Sequence, residues 1–267
     1  GVEITKPSLR RRALAGETLF GMFLFNPGPF NAEIVARTGL DWVIVDLEHG
    51  AADESDLVAM TMAISGAGAT PLVRVESGER IRVGRALDLG ARGVMVPQVQ
   101  TVEAAREVAT WMRAQPAGAR GVALFTRGND YGAGGHDAVI AALEELLGIV
   151  QIESPQAVVA AAEMAAIEGV DVLFIGPADL SHSMGFPGLI EHPDFEVATR
   201  TVAESAREAG VAAGILVWNP EDVGRYARIG YTFFALATEV TTLDRAAREA
   251  LASAREAAAA VTATEVV

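Results

Sequence analysis

The sequence predicts a (β/α)₈ barrel, the TIM-barrel architecture, and three observations carry that expectation. Eight short apolar runs recur along the 267 residues, at about 33 residues per unit, close to what a barrel of this kind requires. The runs are nearly continuous in Val, Ile, Leu and Phe rather than alternating, as in strands buried on both faces of a parallel sheet. A stretch with helical punctuation follows each run. No Gly-x-Gly-x-x-Gly turn follows the first of them, which speaks against an open doubly wound sheet.

Taken in order, the first strand is expected over 19–25, with a helix over 29–37 that stops before Gly39. The second strand covers 42–48, and Asp53 can cap a helix reaching about Ser65, ahead of Gly66 and Gly68. The third covers 71–76, followed by a helix that Ser77 caps and Gly90 ends. The fourth covers 93–99, with a helix opening at Thr101. The fifth covers 149–153, and Ser154-Pro155 sets proline at a first helical position. The sixth, seventh and eighth cover 170–176, 212–218 and 231–237, with helices over 193–209, 220–229 and 242–260. The chain is expected to form a single barrel domain over 1–267. Its one unusual connection is the glycine-rich loop at about 114–136, which lies at the stability face and is either functional or a surface insertion.

Composition narrows the chemistry. Hydrophobic residues make up 51% of the chain and charged residues 21%, so a full core is available and disorder is excluded. The absence of cysteine excludes disulfides, zinc–thiolate sites, iron–sulfur clusters and thiol nucleophiles. A net charge of -14 argues against nucleic acid as a partner. Lys6 is the only lysine and precedes the first core strand, so Schiff-base chemistry and a Walker-type phosphate loop are not expected. No segment approaches the roughly 18 apolar residues that span a bilayer. Arg10, Arg11 and Arg12 ahead of the run 19–25 imitate a short secretory signal, but no small-residue cleavage site follows. A soluble cytoplasmic protein is the expectation.

In a barrel the chemistry sits at the C-terminal ends of the strands. Strands two to six all end in polar groups there: Asp46, Glu48 and His49; Arg74 and Glu76; Gln98; Gln151 and Glu153; Asp179. Asp46 and Glu48 share one strand face, as do Gln151 and Glu153. Buried carboxylates need a partner or a metal. With no cysteine and four histidines, an oxygen-rich site for a hard cation such as Mg²⁺ or Mn²⁺ fits best. Glu153 and Asp179 are the natural ligands, and Glu48 is a rival or a supporting partner. Arg74, inside an apolar strand, either bridges to Glu48 or grips a substrate carboxylate by its planar fork. His49 ends its strand and suits a general base. The small residues of Gly176-Pro177-Ala178 let backbone N–H groups approach an anion.

These residues resemble a known family. The stretch Asp41-Trp-Val-Ile-Val-Asp46-Leu-Glu48-His49, then Pro71-Leu-Val-Arg74-Val, Leu87-Asp88-Leu-Gly90-Ala-Arg-Gly-Val-Met-Val-Pro97, Gln151-Ile-Glu153 and Phe174-Ile-Gly-Pro-Ala-Asp179-Leu-Ser181 are similar to the HpcH/HpaI aldolases, in order, over roughly 13–250. The resemblance implies a metal-dependent (class II) pyruvate aldolase acting on pyruvate and an aldehyde. It implies a hexamer, a trimer of dimers, whose last helix is exchanged between subunits. Glu153 and Asp179 would hold Mg²⁺, Mn²⁺ or Co²⁺; Arg74 and Gln151 would contact pyruvate; His49 and Asp88 would form an acid–base pair. Backbone at Gly176, Pro177 and Ala178 would hold the carboxylate, with Phe23 and Leu216 as further substrate contacts. Phe23 stands where relatives often carry tryptophan, and Ala237-Thr238-Glu239 replaces a Gly-Ser-Asp-like stretch. Both departures bear on the aldehyde rather than on the reaction. The implied reaction is reversible cleavage of 4-hydroxy-2-oxo acids. Its rivals are a decarboxylase or CoA-thioester lyase using the same enolate chemistry, and a non-catalytic metabolite-binding barrel.

Overall fold

The computed structural model describes residues 7–264 of the chain. Lys6, on which the exclusion of imine chemistry turns, lies outside the described residues. The chain enters through α1 (Leu9–Leu14), β1 (Leu19–Leu24), α2 (Pro29–Ala36), β2 (Trp42–Asp46) and α3 (Leu57–Gly66). It continues with β3 (Thr70–Arg74), α4 (Arg80–Asp88), β4 (Gly93–Val96), α5 (Val102–Met112), α6 (Gly135–Glu144) and β5 (Leu147–Ile152). Next come α7 (Pro155–Ala165), β6 (Val172–Ile175), α8 (Pro177–Ser183), α9 (Pro193–Ala209) and β7 (Ala212–Val217). The last elements are α10 (Val223–Ala227), β8 (Phe233–Thr238) and α11 (Glu239–Thr264). The eight strands close in sequence order, every neighbouring pair parallel, β8 returning to β1. The expected (β/α)₈ barrel is the fold.

Two apolar shells explain why these runs became strands. Residues such as Val43, Val45, Val73 and Val94 point outward into the layer between sheet and helices. Their neighbours Trp42, Ile44, Leu72, Met95, Ile149, Phe174 and Phe233 fill the barrel. Packing inside depends on two glycines. A Cβ on Gly21 would sit 2.0 Å from the Trp42 ring, and one on Gly214 would sit 2.6 Å from Phe174. Trp42 therefore lies across the lumen, stacked on Phe233 with centroids 4.6 Å apart.

Three helices lie outside the expected set. α1 plugs the floor, with Leu9 and Ala13 joining the interior cluster. Arg10 donates to Asp171 at 2.9 Å and Arg12 to Asp41 at 2.6 Å, so the run of arginines ties this helix down beneath a barrel strand. α6 shortens the long connection, which here spans residues 113–134 with a 3₁₀ segment at Arg127–Gly132. Tyr131 there adopts φ 53°. α8 begins directly at Pro177, so Asp179 lies in a first helical turn. Among the described residues no helix is long and apolar enough to cross a membrane.

Candidate active site

The inward columns of β2, β3 and β5 turn polar at their C-terminal ends, in Asp46, Arg74 and Gln151, whereas those of β1 and β7 stay apolar, in Phe23 and Leu216. On β2 and β3 the register pairs Asp46 with Arg74. The Arg74 guanidinium donates from Nε to Asp46 Oδ1 at 2.8 Å and from Nη2 to Oδ2 at 2.5 Å. Its Nη1 lies 3.2 Å from Glu48 Oε2. Asp46 is fully buried. Burial alone would lower the Arg74 guanidinium, but the Asp46 hydrogen bonds, with Glu48 and Glu153, hold it above its ordinary value. The fork is therefore locked by Asp46, a partner the sequence placed on the right face without a role. The Arg74 guanidinium also lies 4.8 Å from the centre of the Phe23 ring.

Glu153 leaves β5 beside Gln151, which donates from Nε2 to Glu153 Oε1 at 2.8 Å. The backbone N–H of Gln98 donates to Glu153 Oε2 at 3.0 Å. Gln98 achieves this with φ 58°, a left-handed conformation that a non-glycine residue adopts only where the surroundings enforce it. A Cβ on Gly176 would lie 2.6 Å from Glu153 Oε1, so the glycine makes room for the carboxylate. Burial pushes the Glu153 carboxyl up to about 7; the Gln98 hydrogen bond and Arg74 oppose this, and the charges of Asp179 and Glu48 add to it. Glu48 is raised in the same direction, first by burial, against the pull of Arg74 and His49. Its Oε1 lies 3.8 Å from His49 Nε2, whose ring stands at the solvent edge.

A cavity of about 110 Å³ opens above these groups. Nine residues singled out in the sequence line it: Phe23, His49, Arg74, Gln151, Gly176, Pro177, Ala178, Asp179 and Leu216. Glu153 lies at its base through Gln151. Phe25, Phe174, Trp218 and Thr238 complete the wall. Asp88 is the exception. It ends α4, which runs from the C-terminal rim back toward the floor, and it accepts from Arg120 Nη2 at 2.8 Å. Within one chain the His49–Asp88 pair is not formed, because the two residues belong to opposite ends of the barrel.

The donor set fits a hard divalent cation. Glu153 and Asp179 are close enough for their charges to interact, and the buried Gln151 Oε1 lacks a hydrogen-bond partner, while Glu48 Oε2 has only its ion pair with Arg74. Among the described residues no group of three or more His, Cys, Asp or Glu side chains is placed to hold a metal ion. A cation that keeps several waters and takes one or two carboxylates does not need one.

Sequence reasoning also missed Glu239. This buried carboxylate accepts from the backbone N–H groups of Phe25, at 2.9 Å, and Asn26, at 2.7 Å. It thereby fixes the loop after β1 at the rim of the cavity. The signal was there as an acidic residue in a Gly-Ser-Asp-like position, but its partners are more than 200 residues away in sequence.

Comparison with known proteins agrees with this geometry. Residues 19–246 match the model of the HpcH/HpaI aldolase/citrate lyase family. The chain belongs to that family. It is 41% identical over 243 residues to a hydroxypyruvate/pyruvate aldolase of Delftia acidovorans, covering 91% of this chain and 88% of the relative. It is 35% identical to a 4-hydroxy-2-oxo-heptane-1,7-dioate aldolase of Shigella sonnei, covering 92% of this chain and 94% of that one. A crystal structure of a family protein from Burkholderia cenocepacia superposes with a TM-score of 0.87 at 37% identity, covering 92% of this chain and 98% of the other. Membership makes this barrel an enzyme of a lyase family, in keeping with the polar rim.

Proposed function

We propose that the protein catalyses reversible, divalent-metal-dependent aldol cleavage of 4-hydroxy-2-oxo acids to pyruvate and an aldehyde. The observation that carries this reading is the convergence of Arg74, Gln151, Asp179 and His49 on one cavity at the C-terminal mouth of the barrel. The names of the most similar relatives support it.

Glu153 and Asp179 would hold Mg²⁺, Mn²⁺ or Co²⁺, which when bound supplies Lewis-acid polarisation of the oxo acid. Arg74 faces the pyruvate moiety with a guanidinium that Asp46 has already oriented, so no reorganisation is needed as negative charge develops on that half of the substrate. Gln151 has its amide nitrogen committed to Glu153, which leaves its Oε1 directed elsewhere. The first N–H groups of α8, at Ala178 and Asp179, are free of intrahelical partners and suit a carboxylate. His49, at the solvent edge, removes the 4-hydroxyl proton directly or through water. Cleavage of the C3–C4 bond then leaves its electron pair on the pyruvate fragment as an enolate, which takes up a proton at C3.

The Asp88 of the proposed acid–base pair must come from a second chain. Two features support the hexamer with exchanged C-terminal helices. The 26 residues of α11 make their main contacts with β1 and β8 and leave Leu243 and Leu251 exposed. A cleft of about 450 Å³ beside the start of that helix, lined by Met22, Leu236 and Trp218, lies open on the outside of the barrel.

Two measurements test the reaction. EDTA should abolish cleavage and added Mn²⁺ or Mg²⁺ should restore it, whereas borohydride in the presence of pyruvate should leave no adduct on the protein. Full activity in the chelator, or a trapped adduct, would remove the proposal.

A further inference from the structure

The long connection between α5 and α6 is folded against the turn that carries Asp88, and the proposed reaction leaves it without a role. Its first half doubles back on the end of α5. The Ala119 N–H donates to the Thr110 carbonyl at 2.8 Å and the Arg120 N–H to the Arg113 carbonyl at 2.9 Å. Its second half lies on the end of α4. A Cβ on Gly128 would sit 1.9 Å from the Leu87 carbonyl oxygen, so only glycine lets the loop come this close. Arg92 Nη1 donates to the Gly128 carbonyl at 3.1 Å. From the loop so held, Arg120 donates from Nη2 to Asp88 Oδ1 at 2.8 Å, with its side chain only 4% exposed.

Stability alone does not account for this arrangement. Arg120 Nε and Nη1 are buried without a hydrogen-bond partner within the chain, which is costly. Burial first, then the charge of Arg120, lowers the neighbouring Arg92 guanidinium. What the arrangement does secure is one carboxylate. Asp88 Oδ1 is fixed, whereas Oδ2 accepts from no group among the described residues and the side chain is 25% exposed. One oxygen is thus left for a group from outside the chain. A carboxylate held against one imidazole nitrogen sets the tautomer and frees the other nitrogen to act as a base. We infer that Arg120 is a positioning residue for the acid–base pair, acting across the subunit boundary. It holds Asp88 of its own chain as an oriented anion that meets His49 of the partner subunit. This rests on the aldolase reading above, with its pair formed between chains, and gives the 113–134 connection its function.

The test uses the full-length, metal-loaded oligomer. Pyruvate release is measured from 4-hydroxy-2-oxopentanoate and 4-hydroxy-2-oxo-heptane-1,7-dioate, and the faster substrate is kept. Arg120→Ala should lower kcat and kcat/KM equally, by about 10-fold, a part of the loss expected of Asp88 itself. In the Asp88→Asn background the same substitution should change kcat by less than about 2-fold, since a residue acting only through Asp88 then has nothing to act on. Arg120→Lys, which keeps the buried charge, should retain more activity than Arg120→Ala and likewise add nothing to Asp88→Asn; it carries the cycle if the alanine variant does not fold. Refolded mixtures assign the role to a chain. Arg120→Ala mixed with His49→Ala should exceed the mean of the two unmixed variants, because some interfaces then join an intact His49 to an intact Asp88–Arg120 pair. Arg120→Ala mixed with Asp88→Asn should equal that mean. Full activity of Arg120→Ala, losses that multiply in the double variant, or recovery with Asp88→Asn instead of His49→Ala overturns the role of Arg120 and leaves the aldolase reading in place. Turnover of neither substrate by the parent removes that reading and this inference with it.

Discussion

Buried charges close both ends of the barrel, and the two ends are built on opposite principles. At the floor, Asp171 accepts from Arg10 at 2.9 Å, from Arg113 at 3.0 Å and from the backbone of Gly148 at 2.8 Å. Asp41 accepts from Arg12 and from the backbone of Phe20 at 3.0 Å. At the rim, by contrast, Glu153 is driven to about 7, Glu48 is raised, and Gln151 Oε1 and Glu48 Oε2 go without hydrogen bonds. The floor pairs its carboxylates for stability, while the rim leaves Gln151 Oε1 without a partner and Glu48 Oε2 with only its Arg74 ion pair. That contrast is a physical form of the rule that chemistry in such barrels sits at the C-terminal face.

The Asp46–Arg74 pair tests the contrast most severely, because it joins both roles. Arg74→Ala should reduce turnover by about 10²–10³-fold, the range for losing one donor to a developing oxyanion. It should also destabilise the fold by about 3–5 kcal/mol, because Asp46 is left as a buried unpaired charge. Steady-state kinetics and urea unfolding separate the two, and normal pyruvate formation would remove Arg74 from the mechanism. At the floor only the second effect is expected. Asp171→Ala should lower stability by about 3–5 kcal/mol, with kcat per folded molecule as in the parent; a large kcat change would break the division between the ends.

Asp88 sharpens the comparison from the other side, as a floor residue assigned to chemistry. His49→Ala and Asp88→Asn should each slow cleavage by about 10²-fold, the low end for general acid–base groups. Mixed oligomers refolded from the two variants should regain activity if the pair forms between chains. No recovery on mixing would confine Asp88 to its Arg120 contact. The smallest effect concerns Glu153 in the chelated protein. Its folded carboxyl holds a proton up to about 7, against an ordinary 4.5. The folded state therefore binds more protons between those values, and stability falls as pH rises through that window. Glu153→Gln should remove the fall and be more stable than the parent at pH 8, by at most on the order of 3 kcal/mol. Parallel melting curves of the two proteins from pH 5 to 8 would contradict this.

Much of the barrel was legible because each strand carries its own evidence. A continuous run such as Trp42-Val-Ile-Val announces burial on both faces without reference to any other segment. Helices were less uniformly readable. The expected helix after strand one matches α2, but α1 hid behind three consecutive arginines, one of which, Arg12, is buried against Asp41. α6 hid behind glycines at 134 and 135. Residues at the rim were legible where strand alternation sufficed, as for Gln151 and Glu153. Asp46 received no role because only the register of β2 against β3 sets it, ahead of Glu48, opposite Arg74. Glu239 was seen only as a departure, because its backbone contacts lie 214 and 213 residues away.

What the chain determined by itself was periodicity and inventory: eight doubly buried strands, no cysteine, a lone lysine, and carboxylates, arginine and histidine at strand ends. Those follow from local patterning, since a strand's two faces and a residue's chemistry are set within a few positions. Pairing was decided only when the sheet closed. Register set Asp46 against Arg74, β8 beside β1 brought Glu239 to Phe25, and the downward run of α4 carried Asp88 away from His49. Hydrogen bonds and charges act over a few ångströms, and only the fold determines which distant residues come within that range.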